Sequence, residues 1–191
     1  MVKNILIAGV GGQGTLLASK ILARLLLSEG FDVKVSEVHG MSQRGGSVVT
    51  HVRFGEKVFS PVIDKGCADI IVAFELLEAA RCLEYAKPGA KIVVNTQMIA
   101  PQSVIAGSAV YPESLAEKMQ AAGADVIAAD CLALAGQAGS AKAVNVVLLG
   151  CLSSLFSIPE CSWIDAIEAA VPEKFLELNK KAFTLGRQSR K

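Results

Sequence analysis

Asn4-Ile5-Leu6-Ile7-Ala8-Gly9-Val10-Gly11-Gly12-Gln13-Gly14 is the stretch whose reading decides the fold. A short apolar run ends in a glycine cluster, as expected of a parallel strand buried on both faces. Residues 13–29 then read as a helix that stops at Gly30, and residues 32–38 as a second strand. A Gly/Ser/Gln/Arg loop covers 40–46. Residues 47–54 are β-rich and alternate, with Val48, Thr50, Val52 and Phe54 on one face. Gly55-Glu56-Lys57 predicts a turn and Val58-Phe59 a short returning strand. Further along, 69–74, 91–95 and 125–129 read as buried strands, with helices at 75–85 and 112–122, a turn at Pro88-Gly89 and irregular chain over 96–108. From about Cys131 the chain reads as helices broken near 136–140, Pro159 and Pro172. Strands alternating with helices predict an α/β fold. The expectation is a Rossmann-like three-layer sandwich with a mainly parallel sheet, a β insertion after the second strand and a helical C-terminal third. No boundary or repeat divides the chain, so residues 1–191 read as one domain.

Composition narrows the function classes. The 191 residues are 52% apolar and 19% charged, which argues against general disorder. Nineteen basic against 18 acidic residues give +1, no electrostatic case for nucleic acid or an anionic membrane. The start of the chain lacks the pattern of a secretion signal. Residues 143–159 carry no charge but are too few for a span of about 20 residues. They read as a helix buried in the protein or at a subunit contact. The five cysteines, 67, 82, 131, 151 and 161, form no C-x-x-C pair. They fit thiols in a reducing cytoplasm better than a disulfide framework or a local zinc or iron–sulfur site. Two histidines, His39 and His51, exclude a histidine-rich metal site.

Gly9-Val10-Gly11-Gly12-Gln13-Gly14 fits G-x-G-x-x-G between a strand and a helix. In that pattern Gly9 permits a tight turn, Gly11 lets main chain approach a ligand, and Gly14 lets helix pack on strand. The N–H groups at the helix start attract an anion by about 0.3–1 kcal/mol. Three readings stay open on this loop alone: a dinucleotide site with Glu37 as its acidic residue, another phosphate ligand, and a turn that binds nothing.

The segment Ser36-Glu37-Val38-His39-Gly40-Met41-Ser42-Gln43-Arg44-Gly45-Gly46-Ser47 follows the second strand, on the sheet edge that carries the glycine loop. Arg44 brings forked donors suited to phosphate or carboxylate, and Gly45-Gly46 allows close main-chain approach. Taken together, G-V-G-G-Q-G and S-E-V-H-G-M-S-Q-R-G-G-S-V resemble the gamma-type domain of 2-oxoacid:ferredoxin oxidoreductases. The H-G-M-S-Q-R-G-G form is most similar to members acting on indolepyruvate. The resemblance extends to Asp69–Phe74 and Lys142–Gly150 and covers most of the chain.

The resemblance implies a subunit of a complex that oxidatively decarboxylates a 2-oxoacid, passing the acyl group to coenzyme A and the electrons to ferredoxin. It implies that thiamine diphosphate, magnesium and iron–sulfur clusters reside in the partner. This chain then packs on the thiamine-binding subunit, closes its cleft and helps hold coenzyme A. Gly9, Gly11, Gly12, Gln13, Gly14, Ser42, Gln43, Arg44, Gly45 and Gly46 are the expected lining. Activity is expected only in the complex, in the cytoplasm. The apolar C-terminal third also suits a contact between two copies. Asn145, in an otherwise apolar helix, needs partners, within the chain or across an interface. Thr15 is expected to bond at the helix start, Lys20 to be solvated, and Leu22, Leu25 and Leu26 to be core. Two other classes remain: a stand-alone NAD(P)-binding redox or sensor module, and a purely structural subunit.

Overall fold

A computed structural model describes residues 1–40 and 45–189, with His39 described by its main chain alone. Strand β1 (Lys3–Val10) carries the opening apolar run, and helix α1 (Thr15–Ser28) follows the glycine turn. Strand β2 (Asp32–His39) leads to β3 (Ser47–Gly55), and β4 (Ala68–Ala73) to the short helix α2 (Leu76–Arg81) and a 3-10 turn at Cys82–Tyr85. Next come β5 (Ala86–Asn95), α3 (Gln102–Ile105), α4 (Leu115–Ala121) and β6 (Asp125–Ala129). The chain ends in α5 (Cys131–Ala138), α6 (Val144–Ser153), α7 (Glu160–Glu168) and α8 (Leu176–Gln188).

The six strands form one sheet in the order β2-β3-β1-β4-β5-β6. β1, β4, β5 and β6 pair in parallel, whereas β3 is antiparallel to both its neighbours. The insertion thus lies inside the sheet, between β1 and β2, and β2 still runs in the direction of β1. Both chain segments that leave β1 and β2 emerge on the same carboxyl edge.

Strand alternation divides the core. Ile5, Ile7, Val52, Val72 and Val93 face α1 and the C-terminal helices. Leu6, Ala8, Ile71, Ile92 and Val94 face the side of α2 and α4. Each such Val, Leu or Ile side chain, fully buried, contributes about 1.5–3 kcal/mol of transfer free energy. Leu22, Leu25 and Leu26 lie at 0% exposure in the first layer, and Lys20 is exposed. This is the three-layer α/β arrangement expected, with helices on both faces of a mixed sheet.

Four local readings change. Val58-Phe59 is not a strand: Val58 is held by its N–H donating to Asp32 Oδ2 at 2.8 Å, and Phe59 is exposed. Pro88-Gly89 does not precede β5 but lies within it, where the pairing with β4 shifts register. Gly9 is not a turn residue but a strand residue paired with Val48. A Cβ there would stand 2.9 Å from Thr15 Cγ2 and 3.1 Å from Phe74 Cβ, so close packing requires the glycine. Finally, no side-chain cap bond forms at the start of α1, where Gly14 is the cap residue; the Thr15 methyl packs on Gly9 instead.

The uncharged stretch at 143–159 resolves as α6, buried along its whole length. No helix of the described residues is long and apolar enough to cross a membrane. α6 is covered largely by α8, and the two approach through glycines: a Cβ on Gly186 would lie 2.0 Å from Val147 O, and one on Gly150 2.2 Å from Phe183 O. The hydropathy of α6 is therefore accounted for within the chain, and a contact between copies is not needed to cover it.

Two stability predictions follow from this packing. Gly186→Ala forces α6 and α8 apart and is expected to cost about 1–3 kcal/mol or more, read as a lower denaturant midpoint. His51 is buried in β3 with Nδ1 accepting from Ile63 N at 3.1 Å, and burial lowers its pKa below 6.5. Below pH 6.5 the unfolded chain takes up a proton that the folded chain does not, so stability falls as pH drops through this window. Comparing Tm across pH 5–7.5, His51→Leu is expected to be less stable at neutral pH and to show a flatter profile.

Candidate functional site

The carboxyl edge is organised by side-chain amides. Gln13 turns inward: its Oε1 accepts from Val10 N at 2.8 Å and its Nε2 donates to Phe74 O at 3.1 Å. Asn95, fully buried at the end of β5, donates to the same carbonyl at 3.1 Å and accepts from Cys131 N at 3.1 Å. Gln97 Oε1 accepts from both amides, at 3.4 Å from Gln13 and 3.3 Å from Asn95. The ends of β1, β4 and β5 and the start of α5 are thus tied by one amide cluster. Gln13 holds the loop from within, with its amide engaged by the chain.

The two glycine segments meet. Gly11 N donates to Gly46 O at 2.8 Å, and Gly45 N donates to Gly11 O at 3.4 Å. Gly12 and Gly14 have φ of +102° and +84°, a conformation glycine adopts without strain. Gly11, expected to offer its main chain to a ligand, uses its N–H on the second segment. The N–H groups of the first turn of α1 remain the anion-attracting feature. Ser42, Gln43 and Arg44 lie outside the described residues, as does the His39 side chain; Gly45 and Gly46 are where the sequence reading put them, against the first loop.

Asn145 explains the third glycine of the motif. Its Nδ2 lies 3.5 Å from Gly14 O, and a Cβ on Gly14 would stand 2.8 Å from that nitrogen. Its Oδ1 accepts from Val146 N at 2.9 Å. Gly14 therefore permits contact with α6, where the motif in general predicts helix against strand.

Two acidic residues went unread in the sequence. Glu75, 1% exposed, caps α2: Oε2 accepts from Glu78 N at 2.9 Å, and Oε1 accepts from Ile99 N at 3.0 Å and from the Tyr111 hydroxyl. Burial, then this hydrogen bond to Glu75, pushes the Tyr111 phenol well above its usual range. Glu78, 3% exposed, accepts from Ser47 Oγ at 2.5 Å and from the Arg81 guanidinium at 2.5 Å. Ser47 is the first residue after the Gly45-Gly46 pair, so Glu78 fixes the root of the second segment. The only sequence sign was an E-x-x-E directly after a buried strand, a spacing that suits a helix start.

Two clefts flank the glycine loop. One, about 370 Å³, lies between Gly11, Gly12, Gly14 and the pair Glu37 and Val48. The other, about 420 Å³, lies between Gly12, Gly14 and Gln97, Leu132 and Lys142. They differ in sign: Glu37 is an exposed carboxylate and Lys142 an exposed ammonium. β3 also separates Glu37 from β1 by one more strand, roughly 4.8 Å of added distance. That displaces the acidic residue from the place beside β1 where a dinucleotide ribose would need it.

The described residues do not fit an iron–sulfur cluster or a metal. Among the described residues no three or more His, Cys, Asp or Glu side chains are grouped to hold an ion. Cys82, Cys131 and Cys151 are buried, and Cys67 and Cys161 exposed. The hydrogen bond with Cys151, then burial, pushes the Cys131 thiol far up, and burial pushes Cys82 up to about 12. These are protonated, packed thiols.

Removing the Glu78 carboxylate leaves Ser47 and Arg81 without their shared partner. Glu78→Ala is expected to cost about 1–3 kcal/mol, the loss of charge-assisted hydrogen bonds to two solvent-reached partners, whereas Glu78→Gln retains part of the Ser47 bond and costs less. Urea denaturation of the two variants checks the order.

The comparisons agree with this geometry. The model of the family described as pyruvate ferredoxin/flavodoxin oxidoreductase matches residues 4–189. The indolepyruvate oxidoreductase subunit IorB of Thermococcus kodakarensis is 42% identical over 189 residues, covering 96% of this chain and 93% of its own. Among solved structures, the gamma subunit of a keto/oxoacid ferredoxin oxidoreductase from Geobacter sulfurreducens superposes with a TM-score of 0.72 at 24% identity, over 97% of this chain and 96% of that one. The 2-oxoglutarate:ferredoxin oxidoreductase of Magnetococcus marinus, solved with coenzyme A bound, gives 0.74 at 21% identity, over 98% of this chain but 30% of that one. The gamma-type fold here is thus found both as a separate chain and as part of a longer one. With a family match over nearly its whole length and a relative above 40% identity, the chain belongs to the pyruvate ferredoxin/flavodoxin oxidoreductase family, as an oxidoreductase subunit.

Proposed function

We propose that this chain is the gamma-type subunit of an indolepyruvate or other aryl-pyruvate ferredoxin oxidoreductase. It packs on the thiamine-binding subunit, closes that subunit's cleft and helps hold coenzyme A. The overall conversion takes a 2-oxoacid, coenzyme A and oxidised ferredoxin to an acyl thioester, carbon dioxide and reduced ferredoxin. Thiamine diphosphate, magnesium and the clusters belong to the partner, and no step of the chemistry is assigned to side chains here. The complex works in the cytoplasm, where packed thiols such as Cys131 stay reduced.

One observation carries the reading: the two glycine segments are joined, Gly11 to Gly46, beside the first turn of α1. Main-chain donors and the root of the Arg44 segment therefore share one edge. That edge is also ringed by exposed apolar side chains: Leu16 (49%), Val38 (57%), Met98 (58%) and Leu132 (40%). Such a ring around polar main chain suits a protein partner more than open solvent. The sign of the flanking clefts selects the coenzyme's side. Its phosphates are repelled by Glu37 and attracted by Lys142, so the diphosphate belongs over Gly12 and Gly14 on the Lys142 flank.

In the assembled complex, Arg44→Ala and Lys142→Ala are each expected to raise the KM for coenzyme A by about tenfold, the loss of one charge-assisted bond. Decarboxylation of the 2-oxoacid in single turnover, without coenzyme A, should stay near wild type. Unchanged acyl-transfer kinetics in both variants would overturn the coenzyme role. Failure of Arg44→Ala to co-purify with the partner would instead assign that segment to assembly.

A further inference from the structure

At the opposite, amino edge of the sheet lies a cavity of about 550 Å³. It opens at the amino ends of β1, β4 and β5. Ile5 and Ile70, neighbours in the parallel register, and Phe54 form its floor. Phe31, Leu155 and Phe156 wall it from the loops after α1 and α6. Phe54 meets Phe31 edge-on at 5.3 Å between ring centroids and Phe156 at 6.3 Å. The volume lies in the range of about 300–1,000 Å³ typical of small-molecule sites, and so does an apolar lining with few polar groups.

The polar side chains of the lining are three lysines, one aspartate and Ser157. Lys3, Lys87 and Lys91 stand at the rim, with Asp69 between them. Lys87 holds Asp69 Oδ1 closely, whereas Lys3 reaches the same oxygen only at 3.7 Å. Asp69 Oδ2 accepts from Asn4 N at 2.8 Å, so that carboxylate is committed to the chain. Lys91 pairs with Asp125 at 2.5 Å, outside the cavity. Three ammoniums thus face two carboxylates, and Lys3, half exposed, is the incompletely matched charge beside the apolar floor.

We propose that this cavity binds a small apolar monocarboxylate, with an aromatic or branched aliphatic body on the Phe54–Phe156 wall and its carboxylate on Lys3. The site is separated from the glycine loops by the length of the strands and does not depend on the coenzyme reading above. A neutral molecule would gain the wall and lose the ion pair; a bare anion would gain the ion pair in water, where it is weak, and lose the wall. Only a ligand carrying both parts uses both features of the cavity.

The chain supplies its own reporter. Trp163 is the single tryptophan, buried, with Phe156 edge-on to it at 5.7 Å. The full-length chain is titrated with phenylacetate, 3-methylbutanoate, benzyl alcohol and acetate, following Trp163 fluorescence and, independently, saturation-transfer NMR of the ligand. Saturable binding of the two apolar acids is expected, about tenfold or more tighter than of benzyl alcohol or acetate. Lys3→Gln, a change at an exposed side chain, should weaken phenylacetate about fivefold and leave benzyl alcohol unchanged. The proposal is overturned if both measurements stay flat or if acid and alcohol bind alike. It is equally overturned if Lys3→Gln has no effect, or if the fluorescence change follows protein concentration rather than ligand, which would make a second copy the occupant.

Discussion

The candidate site depends on one main-chain contact, the hydrogen bond from Gly11 N to Gly46 O. It exists because β3 runs back between β1 and β2, in register over Lys3–Phe54 through Val10–Ser47. Antiparallel pairing ends at Val10 and Ser47, and the two glycine segments continue side by side from there. Neither segment has bulky side chains at the contact, so main chain meets main chain directly. The edge is then fixed from below by three groups that act at once: Gln13 on the ends of β1 and β4, Asn95 on β4 and α5, and Glu78 on Ser47.

That arrangement alters the meaning of a familiar pattern. In a dinucleotide fold, β1 and β2 are neighbours and the acidic residue at the end of β2 reaches the ribose. Here a strand intervenes, and the first N–H of the glycine loop is bonded to protein. The same six residues thus form part of an edge built from two chain segments. The glycines also answer to packing: Gly9 lies under Thr15 and Phe74, and Gly14 under Asn145. Gly12, with a left-handed φ and open space within 4 Å of where a Cβ would stand, is there for conformation.

Much of this was legible in the sequence. Apolar runs of three to five residues bounded by polar residues or glycine mark the buried strands, and the pairing of G-V-G-G-Q-G with R-G-G marks the edge and the family. The place of β3 was not legible, since alternation shows that a segment is a strand but not between which neighbours it lies. Nor was the role of Glu75 and Glu78. A buried carboxylate is recognised by its partners, and these come from Ser47, Arg81, Ile99 and Tyr111, up to 36 residues away. The hydropathy of α6 suggested a contact between copies because the sequence does not show that Gly150 and Gly186 let α8 lie close enough to cover it.

Charge separates the two edges of the sheet as clearly as packing joins them. On the carboxyl edge the anion-attracting elements are main-chain N–H groups of α1, reinforced on one flank by Lys142 and opposed on the other by Glu37. Main-chain donors cannot be rearranged without moving the strands that carry them, so this edge favours a ligand or partner held in fixed orientation. On the amino edge the charges are three lysine ammoniums on flexible stems, with Asp69 among them, beside an apolar floor. Such groups adjust to the ligand and lose side-chain entropy on binding it, which limits affinity. A rigid edge suits a ligand or partner whose geometry must be reproduced each time it binds, as the proposed coenzyme role requires. A compliant edge suits a weaker ligand whose occupancy follows its concentration.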